Sequence, residues 1–453
     1  MPRAPFVSLV CAVALALPAL CLAAEPSYVW TVRAGGARYD KTRGLCTDRA
    51  GNVYMTGEFG DVADFGTEKI TSRGDLDFFV AKYSPQGKCL WVRPGGGAKT
   101  DRGYGVAVDE QGGVFVTGHY QSSDALFGDA YSLPLRGDYD VFTAKYDSSG
   151  KLLWIRTAGG AKYDYGHGIG VDGAGNCYVT GGIVGDATYG DHAVLNPVGS
   201  HLFVAKYSPS GELVWARESK GPGANGQGIA VDKAGNSWST GSTSGDAEFD
   251  GVTLKAAGKN LLLVKYSPEG KALWVSGSGG TMDGLGTGVG LDRQGNAYVG
   301  GMFKGSATLA GVALNSAGDY DMFAAKFDSQ GKPVWAHAGG GPETDYCLSI
   351  AADPKGGCFA AGEVVGSASF EGQRVVSAGG RDLYVAHYDA SGKTVSIRPG
   401  GAERDDLCYC VALAEKEYVY LSGAFNGTTK YGDTAPITSI GANDIFLTKL
   451  RLR

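Results

Sequence analysis

Tryptophan sets a ruler along this chain. Trp30, Trp91, Trp154, Trp215, Trp274 and Trp335 stand 61, 63, 61, 59 and 61 residues apart, and Ser396 follows 61 residues beyond the last. A unit of about sixty residues therefore recurs seven times. A period of this size marks a repeat architecture, in which a single unit cannot bury its own faces and neighbours must stack to do so. The second unit shows the contents: GYGVAVD (Gly103–Asp109), GVFVTGHY (Gly113–Tyr120), YDVFTAKYD (Tyr139–Asp147) and KLLWIR (Lys151–Arg156). These segments, A to D, are rich in β-branched and aromatic residues and bounded by Gly, Asp, Asn and Ser, as strands are. The A–B link, DGAGN in Asp172–Asn176, and the C–D link, SPSG in Ser208–Gly211, are short enough for antiparallel hairpins.

A four-stranded sheet has two faces to cover, and radial packing of seven such sheets covers both. The expected fold is all-β, a seven-bladed β-propeller of four-stranded antiparallel blades. Counting back from the aspartate that ends strand A, positions minus six, minus four and minus two read Gly103, Gly105, Ala107 in one unit and Gly166, Gly168, Gly170 in the next. One face of A is almost bare backbone, which suits innermost strands crowded round an axis. The chain ends on a C segment, NDIFLTKLRLR, and its N-terminal SYVWTVRAGG reads as a D segment, so the N-terminal strand is expected to complete the last blade.

The units GNVYMTG…DLDFFVAKYSPQGKCLW and GNCYVTG…HLFVAKYSPSGELVW resemble the bacterial, secreted seven-bladed β-propeller repeat family (SBBP repeat). The resemblance runs over residues 25–453 and implies the fold. It implies no activity, because the family has no common catalytic residues to carry over. Departures are confined to Asn260 for Asp, His387 for Lys, Ala414 for Asp and Ser396 for Trp.

Residues Met1 to Ala24 carry one early charge, Arg3, then an apolar run from Phe6 to Leu22 and small residues at Ala23 and Ala24. This is the pattern of a secretory signal peptide and is short for a membrane span. The expected organisation is a signal peptide at 1–24 and one propeller domain at 25–453. The expected location is outside the cytoplasm, in the periplasm, at the cell surface or beyond it. Removing Arg3 takes the formal net charge from -6 to about -7, which gives no broad basic surface for nucleic acid. No other segment is apolar enough to cross a bilayer, and a monomer is expected.

Seven cysteines follow the signal segment, with no zinc-type spacing among them. Cys347 and Cys408 occupy the same minus-six position in adjacent units and are the candidate disulfide; the others replace small or apolar strand residues and read as buried thiols. There is no GxSxG elbow, no P-loop and no HExxH. The lysine closing strand C, Lys82, Lys145, Lys206, Lys265, Lys326 and Lys449, follows the repeat and reads as a structural tie.

Strand direction selects a face. D–A and B–C links emerge on one side, and the A–B and C–D turns on the other. The B–C link is about twenty residues, as in Glu58–Asp75, and reads as a strand extension or small hairpin raising a wall round that face. Function concentrates on such loops. Eight residues before the A-strand aspartate come Asp40, Asp101, Asp164, Asp345 and Asp406, with Ala224 and Gly284 in the fourth and fifth units. They form either a carboxylate ring round the axis or a set of acceptors for backbone N–H groups in their own loops. Position minus five is the least repetitive: Arg43, Tyr104, His167, Gln227, Thr287, Leu348 and Tyr409. Arg38, Lys99 and Lys162 flank the first three loops, and Glu343 and Glu403 the last two, which makes the mouth electrostatically lopsided. The expected ligand site comprises Asp40, Arg43, Asp101, Tyr104, Asp164, His167, Gln227, Asp345, Asp406 and Tyr409. No cofactor is required, although clustered carboxylates and carbonyls are hard oxygen ligands of the kind Ca²⁺ takes.

Two functions of different class fit. One is a non-enzymatic binding propeller that recognises a protein, peptide or glycan through the loop-rich face. The other is a hydrolase or lyase acting on a polymer with acid–base groups at the channel mouth, which rests on fold analogy.

Overall fold

Runs such as Val114–Tyr120 and Asp140–Tyr146 put β-branched and aromatic side chains on both faces of a sheet, a composition suited to strands buried on both sides. In the computed structural model they are exactly that kind of central strand, and every residue of Val114–Tyr120 is buried. The model describes residues 27–128, 131–194, 199–256, 258–280, 283–414 and 417–452; the expected signal peptide lies outside them. All regular elements among the described residues are β-strands, in several antiparallel sheets.

Each unit repeats one order. In the second unit Arg102–Val108 (A) pairs with Val114–Tyr120 (B), B with Asp140–Tyr146 (C), and C with Leu152–Gly160 (D), all antiparallel. The inner A strands, Lys41–Thr47, Arg102–Val108, Tyr165–Val171, Asn225–Val231, Asp283–Leu291, Tyr346–Ala352 and Asp406–Ala414, each pack on the next, and the last packs on the first. Close approach is achieved by bare backbone: a Cβ on Gly44 would lie 2.6 Å from the Tyr104 carbonyl oxygen, and one on Gly105 2.7 Å from that of His167. The first strand, Ser27–Gly36, pairs along its length with the C-terminal strand Asp444–Arg451, from Ser27↔Arg451 to Ala34↔Ile445.

Hydrophobic clusters lie between units. One combines Tyr54, Phe78 and Trp91 of the first unit with Val106, Val114 and Phe142 of the second. Another combines Tyr420, Ile445 and Leu447 with Val53, Met55 and Phe79, joining the two ends of the chain. The tryptophans explain the ruler. Each indole lies under the C–D turn of the following unit: Trp30 against Gly87, Trp91 against Gly150, Trp154 against Gly211, Trp215 against Gly270, Trp274 against Gly331 and Trp335 against Gly392. Trp154 and Trp215 donate to the Pro209 and Pro268 carbonyls of those turns, both at 3.0 Å. The C-strand lysines act as the expected ties: Lys206 Nζ donates to the Pro268 carbonyl at 3.1 Å and Lys449 Nζ to that of Pro85 at 3.2 Å.

Two expectations are corrected. The B–C links do contain the expected small hairpins or, in Gly357–Phe370 and Gln373–Asp389, a strand extension, but they form no common wall: Ala187–Tyr189 pairs with the end of Leu152–Gly160 and Val62–Asp64 with that of Ser27–Gly36, whereas Ala247–Phe249 with Val252–Leu254 and Thr428–Thr429 with Ile437–Thr438 form two-stranded sheets of their own. Where this pairing occurs it satisfies the backbone groups at the end of the D strand, Ala158–Gly160 in one unit and Gly35–Gly36 in another. The Cys347–Cys408 disulfide is absent, because both are free thiols whose sulfurs face their own strands, Cys347 Sγ towards the Ser349 carbonyl and Cys408 Sγ towards that of Cys410.

Candidate functional site

A β-bulge is built into every inner strand at one place. Register shifts fall between Thr42 and Gly44, Gly103 and Gly105, Gly166 and Gly168, Gly226 and Gly228, Gly286 and Gly288, Cys347 and Ser349, and Cys408 and Cys410. The extra residue is in each case the one at minus five: Arg43, Tyr104, His167, Gln227, Thr287, Leu348 and Tyr409. A bulge re-aims the side chain it carries. Arg43, Tyr104, His167, Thr287, Leu348 and Tyr409 together line a cavity of about 200 Å³ on the inner strands, which Gln227 does not reach. Leu45, Val106, Ile169, Ile229, Ile350 and Val411 also border it, most of them buried.

The predicted carboxylate ring does not form. Asp40, Asp101, Asp164, Asp345 and Asp406 are all 0% exposed. Asp164 accepts the Gly160 and Val184 backbone N–H groups at 2.7 and 2.9 Å, and Asp345 those of Gly341 and Val365 at 2.7 and 3.0 Å. Asp40 accepts from Gly36 and Gly60, Asp101 from Gly97 and Gln121, and Asp406 from Ala402 and the Tyr431 hydroxyl. Each thus ties its own D–A loop to the start of its B–C link. Among the described residues no three His, Cys, Asp or Glu side chains are grouped to hold a metal ion. Each of these aspartates also neighbours the aspartate that opens the preceding unit's C strand: Asp444 beside Asp40, Asp77 beside Asp101, Asp140 beside Asp164, Asp321 beside Asp345 and Asp382 beside Asp406. Where the C-strand aspartate is replaced, by His201 or Asn260, the next unit's partner is replaced too, by Ala224 or Gly284. The pair behaves as one unit.

Around the bulge residues lies a polar cluster that sequence reasoning missed. Glu58, 1% exposed, is gripped by Arg43 through both oxygens, with Lys41 Nζ at 3.7 Å and Arg102 Nε at 3.8 Å. Arg43 stacks on Tyr104 at 4.6 Å, and Lys41 on Tyr409 at 4.9 Å. Glu363, 2% exposed, has Arg381 at 3.6 Å and one oxygen without a hydrogen-bond partner; burial, opposed by Arg381, holds its carboxyl up at about 7. An aromatic row runs outward from the bulge residues: Tyr104 and Tyr165 flank His167, His119 touches Tyr104, Tyr165 and Tyr139, and Tyr139 touches the exposed Tyr163. His119 is 1% exposed with neither ring nitrogen hydrogen-bonded, and burial and Arg102 hold it neutral, well below the usual imidazole value. Burial likewise holds His167 down at about 4.

A signal for this second tier was present. The residue after the repeated glycine of strand B changes from unit to unit, as Glu58, His119, Gly182, Ser242, Met302, Glu363 and Ala424, and so does minus seven, with Lys41, Arg102 and Tyr165. Only pairing reveals that the two positions meet, as in Lys41↔Glu58 and Arg102↔His119.

The comparisons with known proteins agree with this architecture. Residues 29–58 and 153–182 match the β-propeller repeat SBBP. An uncharacterized WD repeat-containing protein of Acanthamoeba polyphaga mimivirus is 21% identical over 84% of this chain, and the chain covers 34% of that relative's length. The solved structure of U3-55K superposes with a TM-score of 0.51 at 9% identity, over 93% of this chain and 99% of that one. The crystal structure of RRP9 WD40 repeats gives 0.47 at 9% identity, over 94% and 100%. At 9% identity the likeness to U3-55K speaks for the fold alone.

Proposed function

We propose that this β-propeller repeat chain is a seven-bladed, ring-closed propeller over residues 25–453, exported by residues 1–24, and that it serves as a non-enzymatic interaction scaffold for a protein partner at its D–A/B–C mouth. Support for the ring comes from the cyclic packing of the inner strands and from the pairing of Ser27–Gly36 with Asp444–Arg451. The observation that carries the function is the contrast within each blade: ties such as Trp, Lys and Asp repeat, whereas the bulge residue at the axis takes six identities over seven units, with only tyrosine occurring twice. A symmetric frame holding an asymmetric collar suits one specific partner. The WD-repeat character of the curated relative is consistent with such a role.

The alternative of a polymer-acting hydrolase or lyase would rest on Glu363, the raised carboxyl beside Lys41. Glu58, the other buried glutamate at the mouth, is held by Arg43. Site-specific photocrosslinking tests the scaffold reading. A photoreactive residue replacing exposed Tyr163 at the mouth should trap a discrete partner from the host's exported proteins, and one replacing exposed Val334 on an outer strand should not. Adducts at Val334 with none at Tyr163 would overturn it.

A further inference from the structure

The five buried aspartate pairs stand where the mouth loops of neighbouring units meet, and the same oxygen is left over in each. In one pair Asp140 Oδ2 accepts the Arg136 N–H at 2.7 Å, while Asp164 accepts that of Gly160 on Oδ2 at 2.7 Å and that of Val184 on Oδ1 at 2.9 Å. Asp140 Oδ1 is buried with no hydrogen-bond partner among the described residues. It converges with Asp164 Oδ2 on the bare face of Gly159, where a Cβ would stand 2.6 and 2.9 Å from the two oxygens. Oδ1 of Asp77, Asp321, Asp382 and Asp444 is left over in the same way. N–H or O–H groups cover the other three oxygens of every pair.

A buried ionised oxygen without a donor bears its full desolvation penalty, whereas a protonated one becomes a donor and needs only an acceptor. The partner's Oδ2 is that acceptor. Two carboxyls that share a buried site do not both ionise, so one of them keeps its proton. In the fifth pair the Arg33 guanidinium supplies the countercharge, on Asp444 Oδ2. The charged groups that act on the other four pairs are Arg73 and Asp124, Arg136, Glu343 and Asp405, which leave no surplus of positive charge. Burial accordingly raises Asp140, brings Asp77 to about 7 and brings Asp321 and Asp382 to about 6. A metal ion fits less well. Each partner Oδ2 already accepts an N–H, and two carboxylates fall short of the roughly six to eight oxygens that Ca²⁺ takes.

We infer that Asp77, Asp140, Asp321 and Asp382 are neutral carboxyls in weakly acidic solution, each donating a proton from Oδ1 to Oδ2 of Asp101, Asp164, Asp345 or Asp406, so that four proton clasps fasten the mouth loops of adjacent units. Each proton is taken from water as the loops close and is returned to water as pH rises and the clasp opens. The fifth pair is fastened by Arg33 and needs no proton.

The test is urea denaturation of the full chain at about pH 5 and about pH 8, with asparagine as the permanent stand-in for a protonated carboxyl. Asp140→Asn should match the wild-type midpoint at the lower pH and exceed it at the higher, because its amide still donates to Asp164 Oδ2 after the wild-type proton has left. Asp164→Asn should lower the midpoint at both, since in either orientation its amide nitrogen faces the Gly160 or the Val184 N–H. Asp444→Asn should also lower it at both, through loss of the charge that Arg33 holds. The infrared band of protonated carboxyl groups at about pH 5 should be weaker in Asp140→Asn than in wild type, a change that a purely structural contact does not produce. Should Asp164→Asn fail to fold, Asp140→Asn against wild type decides alone. An Asp140→Asn midpoint below wild type at about pH 8, or an undiminished carboxyl band in that variant, would overturn the inference. So would millimolar Ca²⁺ that raises the wild-type midpoint but not that of Asp140→Asn, which puts a cation in the proton's place.

Discussion

Arg43 does two things at once. It belongs to the non-repeating collar, and its guanidinium closes both oxygens of a carboxylate that is 1% exposed. Removing one partner of a buried pair leaves an uncompensated charge. Arg43→Ala should therefore cost roughly 3 kcal/mol, the low end of the range for such losses, because Lys41 and Arg102 still face Glu58 at 3.7 and 3.8 Å. Urea denaturation reads this directly, and an unchanged midpoint would show that Glu58 needs no partner. The place of Arg43 in the non-repeating set was legible from its variability. Its structural burden was not, since Glu58 lies in another strand and only the folded pairing brings its carboxylate to Arg43.

At the scale of elements, one departure in the repeat finds its reason. Every D-strand tryptophan clasps the C–D turn of the next unit, and Ser396 occupies the tryptophan position in the sixth unit. The C strand that follows, Asp444–Arg451, pairs with the first strand, Ser27–Gly36, and no C–D turn joins the two among the described residues. An indole there would have nothing to cover. The first strand also brings Trp30 and Val32 to the cluster between the chain's ends, and Arg33 to the buried Asp444. Deleting Ser27–Arg33 should lower stability by several kcal/mol, through an exposed edge and an unpaired carboxylate, on the order of the cost of a broken buried ion pair. A melting curve that does not move would defeat the closure. That the N-terminal segment is a D strand and belongs beside the C-terminal C segment was readable from SYVWTVRAGG and NDIFLTKLRLR, whereas the register, from Ser27↔Arg451 to Ala34↔Ile445, is visible only in the fold.

For the whole molecule, the repeated carboxyl pairs set a pH dependence. Burial holds Asp40, Asp164, Asp321 and Asp382 up at about 6, and Asp77 and Glu363 at about 7. The unfolded value is about 4, so each binds its proton more tightly when folded, and stability gained at low pH is lost as pH rises through the folded values. Burial of His119 and His167 acts in the opposite sense, since both must charge in acid. With Asp101, Asp140, Asp345 and Asp406 also raised by burial, ten raised carboxyls against two lowered imidazoles decide the sign. The urea midpoint should be higher at about pH 5 than at about pH 7.5; a midpoint that falls on acidification across this range would contradict it.

What the sequence determined by itself is everything that recurs. A period near sixty residues, four strand segments per period and a bare-backbone face on strand A are local properties, and repetition made them redundant enough to read. The folded chain decided what depends on register between strands. A bulge one residue long, placed between minus six and minus four, turns Arg43, Tyr104, His167 and Tyr409 into one cavity, and nothing in the composition of an inner strand announces it. The aspartates show the converse. Their regular spacing suggested an open ring, but a carboxylate beside several free backbone N–H groups is held by them, and burial follows from the loops that close over it. Repetition specifies the frame because each blade solves the same packing problem, while the site is made where strands distant in sequence meet.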